Sequence, residues 1–333
     1  MAGAVRGTLV ARRRRELWLG FVVLVVLAAL PFGVGNAYLR GLIVLTLLYA
    51  GLSQAWNILG GYCGQISLGH ALYFGIGAYT STLLFTRLGI SPLLGMFAGG
   101  GLAGFAAFLV GLPCFRLSGH YYAIATLVIG MMAALLAANW DFINAAQGIT
   151  IPFHGESWAN LAFRTAILPF HYVMLAYAAL IWFVAWLIEG SRWGVSWRAV
   201  KDDVAAARSL GVSIYPSKLA AAAISGAATG IGGALYAQYI GFIDPDSTLD
   251  LSLSVLIALP AVVGGIGTLW GPLLGAAVLI PVQQLSVAWL GSAAGGIDLM
   301  VYGALIMALA LARPEGLVSF FHIRASRGAT GHG

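Results

Sequence analysis

The sequence predicts an all-α, polytopic membrane protein, and three observations support this fold class. Of the 333 residues, 60% are apolar and 8% are charged, and the mean hydropathy is +0.92. Such a composition cannot provide a water-soluble surface. Apolar windows of about 20 residues, long enough to cross a bilayer as a helix, recur along nearly the whole chain. Because these windows are continuous rather than alternating, they favour helices over barrel strands.

The apolar windows predict about ten transmembrane helices, some of them short or broken. We place these helices at residues 17–35, 38–59, 66–86, 91–112, 119–139, 166–188, 218–240, 251–263, 271–290 and 297–313. The chain then divides into a basic N-terminal arm (1–16), a transmembrane domain (17–313) that includes a long loop at 189–217, and a C-terminal tail (314–333).

The distribution of basic residues predicts the orientation in the membrane, because Lys and Arg collect on cytoplasmic loops. With a cytoplasmic N-terminus, the outer side receives only Arg40, Arg87 and Arg164. The inner side receives Arg6, Arg12, Arg13, Arg14, Arg15, Arg116, Arg192, Arg198, Lys201, Arg208, Lys218, Arg313, Arg324 and Arg327. We therefore expect a multi-pass protein of the cell membrane (inner or plasma) with both termini in the cytoplasm. The net charge of +6 then reflects topology rather than nucleic-acid binding.

The loop at 189–217 contains a pattern typical of a short amphipathic helix. Val200, Val204, Ala207 and Gly211 follow one another at spacings of four, three and four, and polar residues occupy the opposite face. Gly211 suits the end of this helix. Two interpretations stay open: a docking helix for another protein, or a helix lying on lipid headgroups. The acidic pair at 202 and 203 argues against a simple anchor to anionic lipid.

A glycine-rich polar stretch, GGYCGQISLGHALYFGIGAYTS (60–81), lies where an apolar span is expected. Irregular backbone is tolerated at membrane depth only where protein or a water-filled cavity satisfies it. The sequence therefore predicts a helix break here, and the G-x-x-x-G pairs predict close helix packing. For GGIG (264–267) two interpretations stay open: close packing, or an inward turn or re-entrant break. The glycines expected at breaks or close contacts are Gly60, Gly61, Gly64, Gly75, Gly77, Gly226, Gly230, Gly264, Gly265 and Gly267.

Polar residues near the first break are candidates for lining a translocation pathway. Gln65, Ser67 and His70 lie within little more than one helical turn of one another, and Tyr122 and Thr126 open the fifth predicted span. The alternative is that these side chains brace the structure or pack in the core.

Five blocks of sequence resemble one known family. They are the stretch at 60–81, GLPCFRLSGHYYAIATL (111–127), AVKDDVAAARSLGVSIYPSKLAAAAISGAATGIGGALYA (199–237), GFIDPDS with VVGGIGTLWGPLLGA (241–276), and RPEGL (313–317). In this order they resemble the permease subunits of branched-chain amino-acid ABC importers, in the LivM-like branch. The resemblance covers residues 38–318.

The resemblance implies a non-enzymatic transport subunit within a larger pump. In the family, a second, LivH-like permease, two ABC ATPase subunits and a soluble substrate-binding protein complete the importer. This chain has no G-x-x-x-x-G-K-[ST] run, so ATP and Mg are expected on the ATPases, and no cofactor or metal is expected on this chain. The residues expected to couple to the ATPase are Arg198, Lys201, Asp202, Asp203, Ala206, Ala207, Arg208 and Gly211.

Hydrophobic amino acids are the substrate class that the resemblance implies, with urea, amides or small aromatic acids as alternatives. Two departures from the family pattern bear on this choice: Met131 stands where many members have an acidic residue, and NAAQGI (144–149) replaces a Thr-Gly-Gly stretch.

Two other classes of protein compete with the permease interpretation. An ion-coupled secondary transporter or channel would usually carry ionisable residues inside its spans, and these spans contain almost none. An intramembrane enzyme would need a nucleophile and a base, for which Ser67 with His70 and Ser118 with His120 are the nearest pairs. Ser67 and His70 lack a recognisable third group, and neither pair lies in a G-x-S-x-G setting.

Overall fold

The structure, a computed structural model, describes residues 2–117, 119–153, 155–158, 160–161, 163, 167–290, 303–304, 307 and 316–319. Its helices are α1 (Ala2–Gly33), α2 (Ala37–Asn57), α3 (His70–Leu88), α4 (Pro92–Cys114), α5 (His120–Ala138), α6 (Leu168–Glu189), α7 (Arg192–Asp202), α8 (Val204–Ser209), α9 (Ile214–Ile240), α10 (Pro245–Leu249), α11 (Leu251–Gly265) and α12 (Gly271–Leu290). The prediction of an all-α fold is confirmed.

Within the described residues, eight helical stretches are long and apolar enough to cross a membrane. They include α10 and α11 as one stretch, Pro245–Gly265, but not the 19-residue α3. The third predicted span begins at His70 rather than at residue 66, because the preceding residues are irregular. Apart from positions 303, 304 and 307, the tenth predicted span (297–313) lies outside the described residues, as does the tail beyond 319. Helix α1 runs through the predicted N-terminal arm.

Helices α3, α4 and α9 pack through their backbones, and we call this group the glycine-packed slab. A Cβ added to Gly77 of α3 would overlap the carbonyl oxygen of Gly230 on α9. Between α9 and α4, a Cβ added to Gly226 would lie 2.5 Å from Ala107 Cβ, and one added to Gly230 would lie 2.5 Å from Ala103 Cβ. Small residues permit this approach in a bilayer, where lipid provides little hydrophobic drive between helices.

Helix α2 occupies the centre of the main apolar core. Leu48, Leu52 and Trp56 of α2 are buried together with Phe74 of α3 and Met174 of α6. A second buried cluster surrounds the end of the bundle where α7 and α8 lie, which we call the α7–α8 end. Its members include Ile58, Leu59, Tyr62, Trp197, Val200 and Leu269.

The loop at 189–217 forms two helices, so the prediction of one continuous amphipathic helix is wrong. Asp203 adopts extended backbone between α7 and α8, and its Oδ1 accepts hydrogen bonds from Ala205 N (2.7 Å) and Ala206 N (3.1 Å). Such an N-cap satisfies the first amides of a new helix and so competes with continuation of the old one. Val204, which the pattern places on one face with the buried Val200 and Ala207, is instead 39% exposed.

Helix α8 ends in a Schellman motif centred on Gly211. The amide of Gly211 donates to Arg208 O, the amide of Val212 donates to Ala207 O, both at 3.0 Å, and Gly211 has a φ of +81°. This left-handed conformation favours glycine, so Gly211 has a structural reason to be present in addition to the predicted coupling role.

At the opposite end of the bundle, two short strands join distant loops. Strand β1 (Ile149–Thr150) pairs antiparallel with β2 (Phe242–Ile243), with Ile149 opposite Ile243. The departure from the family pattern at 144–149 therefore lies beside the end of α9.

Candidate translocation and coupling site

The predicted break after α2 is built from a π-helical turn followed by irregular backbone. The turn spans Ile58–Tyr62 and continues α2 with one wider turn, and α3 starts only at His70. The amide of Gln65 still reaches back to Leu59 O (3.1 Å), and Gly64 has a φ of +71°. Single π-helical turns within α-helices frequently occur at functional sites.

His70 lies at the centre of a fully buried hydrogen-bond network. Its Nδ1 lies 3.2 Å from Ser67 Oγ and its Nε2 lies 2.9 Å from Ser225 Oγ on α9. The Ser225 hydroxyl donates its single proton to Ala55 O (2.7 Å), so Nε2–H of His70 must be the donor to Ser225. Nδ1 then accepts from the Ser67 hydroxyl. One tautomer of a neutral imidazole therefore satisfies the whole network.

Neighbouring helices hydrogen-bond several further polar groups of the break. Trp56 Nε1 donates to Ser67 O (2.8 Å) and Leu68 N donates to Thr126 Oγ1 on α5 (3.1 Å). At the start of α3, Ala71 N donates to Ser254 Oγ on α11 (2.8 Å). The break is thus closed by protein, one of the two conditions under which irregular backbone is tolerated in a membrane.

The five pathway candidates occupy different environments. Ser67, His70, Tyr122 and Thr126 are buried, and Tyr122 stacks on Phe115 with ring centroids 4.9 Å apart. Gln65 is half-buried, and its Nε2 donates to Cys63 O (3.3 Å). In this conformation Ser67, His70 and Thr126 brace the break through hydrogen bonds, while lining of a pathway stays a prediction.

Ser67 and His70 are in contact, as a nucleophile and base would be, but their surroundings do not resemble a triad. The second nitrogen of His70 faces the Ser225 hydroxyl, where a triad places a carboxylate. Both side chains are also fully buried.

A second break separates α11 from α12, and one side chain ties it to the first. Asn57, the last residue of α2, accepts from Gly267 N at its Oδ1 (2.8 Å) and donates from Nδ2 to Thr268 O (2.9 Å). The two backbones meet at glycines, because a Cβ added to Gly61 would lie 2.6 Å from Gly267 N. Gly264 is equally confined, since its Cβ would overlap Gly271 O.

Residues at and just after the end of the closing sequence block cap the end of α11. The amides of Leu317 and Val318 donate to Val263 O and Gly264 O, both at 3.0 Å. These bonds satisfy carbonyl groups that the end of a helix would otherwise leave without partners.

Three of the predicted coupling residues stabilise α7 and α8 through burial, a helix cap or a hydrogen bond. Ala207 is buried, Asp203 caps α8, and Arg198 Nη2 donates to Glu189 O (2.6 Å). Apart from Ala207, all the predicted coupling residues are exposed, and Lys201 is exposed although its side chain also contacts Gly64 and Gly267. Next to them Leu210, which sequence reasoning missed, is 81% exposed.

Sequence reasoning also missed the partners that close the two breaks. Trp56 and Asn57 directly precede the first glycine motif, but Asn57 bonds to residues 267 and 268, and Ser225 and Ser254 lie more than 150 residues from their partners His70 and Ala71. The only signal was that polar side chains interrupt otherwise apolar spans, which indicates buried hydrogen bonds without naming their partners.

Span-length helices, glycine packing and breaks closed by protein define this chain as a multi-pass, all-α membrane protein. The chain belongs to the family described as "Branched-chain amino acid transport system / permease component", whose model matches residues 38–310. The resemblance seen in the sequence is thereby confirmed.

Curated relatives agree with this family. The chain is 31% identical over 320 residues to the high-affinity branched-chain amino acid transport system permease protein LivM of Escherichia coli (strain K12), covering 89% of this chain and 74% of that protein. It is 29% identical to the LivM protein of Salmonella typhimurium, covering 92% and 75%. The autoinducer 2 import system permease protein LsrC of Klebsiella pneumoniae is 26% identical, covering 54% and 57%. No solved structure matches the chain significantly.

Proposed function

We propose that this chain is a permease subunit of an ATP-driven ABC importer and forms part of a translocation pathway for hydrophobic, branched-chain amino acids. Family membership and the names of the LivM relatives support the substrate class. In this proposal a second, LivH-like permease completes the pathway, two ATPase subunits bind ATP and Mg, and a soluble binding protein delivers the substrate. The α7–α8 end faces the cytoplasm together with both termini.

The observation that carries the coupling part of the proposal is the surface of α8. Ala205 and Ala206 are exposed and have little side-chain relief, and Leu210 projects from the end of the same helix with 81% of its surface exposed. An exposed leucine beside small residues suits the groove of a protein partner, because it offers apolar area and lets another surface approach the backbone. The cap at Asp203 and the Schellman motif at Gly211 hold α8 in shape.

A substitution on α8 tests the coupling role. In a complex reconstituted with its ATPases, partner permease and binding protein, Ala206→Trp should leave the chain folded but reduce coupled uptake at least about tenfold. The physical reason is that the indole would hold the ATPase surface away from α8. The measurements are uptake into proteoliposomes and the ATP hydrolysed over the same interval.

The matched control is Val195→Trp, a substitution at an exposed residue of α7. It places the same side chain at the same end of the bundle but away from α8. Wild-type uptake by Ala206→Trp would contradict docking at α8. Uptake that needs no ATPase and follows an ion gradient would contradict the ABC assignment itself.

The substrate class is tested on the cognate soluble binding protein. We expect leucine, isoleucine or valine to bind in isothermal titration and to stimulate uptake by the complex. Tight binding of urea or an aryl carboxylate, without any response to leucine, would overturn this substrate assignment while leaving the permease assignment intact.

A further inference from the structure

The side chain of Lys201 lies across both helix breaks at the α7–α8 end. A Cβ added to Gly64 in the first break would lie 2.9 Å from Lys201 Cγ and 3.1 Å from its Cβ. A Cβ added to Gly267 in the second break would lie 2.8 Å from Lys201 Nζ. The aliphatic part of Lys201 therefore starts against one break and its amine ends against the other.

Helix α7, which carries Lys201, is firmly attached to the first break. Trp197 lies one helical turn before Lys201, and Val200 directly precedes it. Both are fully buried in the cluster that contains Ile58, Leu59 and Tyr62 of the π-helical turn. Leu269, just after Gly267, belongs to the same cluster. Any displacement of α7 must therefore move these residues or open a cavity, and cavities in packed cores are costly.

The two breaks also form a single mechanical unit. Asn57 binds Gly267 and Thr268 through both ends of its amide, and the backbones of Gly61 and Gly267 are in direct contact. On the other side of Lys201, the extended residue Asp203 is the joint between α7 and α8. A path of direct contacts thus runs from α8 through α7 and Lys201 to the ends of α2 and α11.

We propose that Lys201 is a positioning residue that holds the two breaks in register and passes displacement of α8 to them. The proposal rests on the coupling function proposed above. Its specific content is the route: the stem of Lys201 packs against Gly64, its amine lies against Gly267, and rearrangement begins where Gly64, Gly61 and Gly267 meet. Discrete packed elements of this kind can amplify small shifts, because they have few alternative arrangements.

Two substitutions at Lys201 separate the contribution of its stem from that of its amine. Lys201→Ala removes the stem, and Lys201→Met keeps an unbranched stem while removing the ammonium group. In the reconstituted complex we expect Lys201→Ala to lower the substrate transported per ATP about tenfold while ATP hydrolysis continues. Lys201→Met keeps the stem against Gly64 but loses the amine at Gly267, so we expect a smaller loss, of about threefold. Arg192→Ala, which removes an exposed charge from the first turn of α7, is the matched control.

Hydrogen exchange of the purified full-length chain gives a second, independent readout. Lys201→Ala should accelerate exchange in residues 60–69 and 264–271, while exchange in α4 and α9 stays unchanged. An unchanged transport ratio in Lys201→Ala, or unchanged exchange at both breaks, would overturn the proposal. Lys201→Met behaving like Lys201→Ala would overturn the role of the stem.

The same design distinguishes failure of this inference from failure of the proposed function. If the wild-type complex shows no ATP-coupled uptake, the ABC assignment fails, and the exchange experiment still decides whether Lys201 holds the breaks. If the wild-type complex is coupled and Lys201→Ala is equally coupled, the route through Lys201 alone is wrong.

Discussion

The glycine-packed slab and α8 are both rich in small residues, but these residues are tightly packed in the slab and exposed on α8. In the slab, Gly77 and Gly230 are in backbone contact, and neither has room for a methyl group. On α8, Ala205 and Ala206 face open space, and the neighbouring Gly211 has nothing within 4 Å of an added Cβ. The first region uses small side chains to bring its own helices together. On α8 the small side chains leave the helix backbone accessible, which suits an approaching partner protein.

Composition alone does not reveal whether a small residue packs against a neighbouring helix or lies on the surface. Both regions read as glycine- and alanine-rich segments, and both were singled out from the sequence. The surroundings separate them: a carbonyl oxygen of α9 occupies the space beside Gly77, whereas the space beside Gly211 is open. The two regions should therefore respond very differently to added volume.

The largest effect is expected from Gly77→Leu in the slab. The added side chain would overlap the backbone of α9, and overpacking of this kind costs about 3 kcal/mol or more because backbone must shift. We expect little monodisperse protein after extraction in mild detergent, measured by fluorescence-detected size exclusion. Gly101→Leu on α4 is the control, since nothing lies within 4 Å of that position. Equal yields from both variants would show that the slab is not close-packed.

A smaller effect is expected from His70→Ala, which tests whether the polar residues at the first break belong with the packed interior. The substitution leaves the Ser67 and Ser225 hydroxyls without their shared partner and creates a cavity, so we expect a loss of about 2 kcal/mol. The measurement is the thermal unfolding midpoint of the purified protein, together with uptake by the complex. An unchanged midpoint with abolished uptake would contradict the bracing role and favour pathway lining.

The sequence predicted the fold class and the first break, and it left the second break as one of two interpretations of GGIG, because apolar windows and glycine clusters are local signals. It did not predict what closes the breaks. Asn57 lies more than two hundred residues from Gly267 along the chain, and no periodicity connects Ser225 to His70. The division of the 189–217 loop was missed for a different reason. Asp203 was interpreted as part of a polar face, although its side chain was free to cap a second helix.

The glycine-packed slab also provides a fixed frame of reference for measuring movement. Helices that touch through their backbones have no flexible side chains between them to absorb a shift, so α3, α4 and α9 are expected to move as one body. A spin label at Gly101, on the open face of α4, would therefore provide a fixed reference position for distance measurements. A partner label on α7 would then record the displacement of that helix alone, in ångströms.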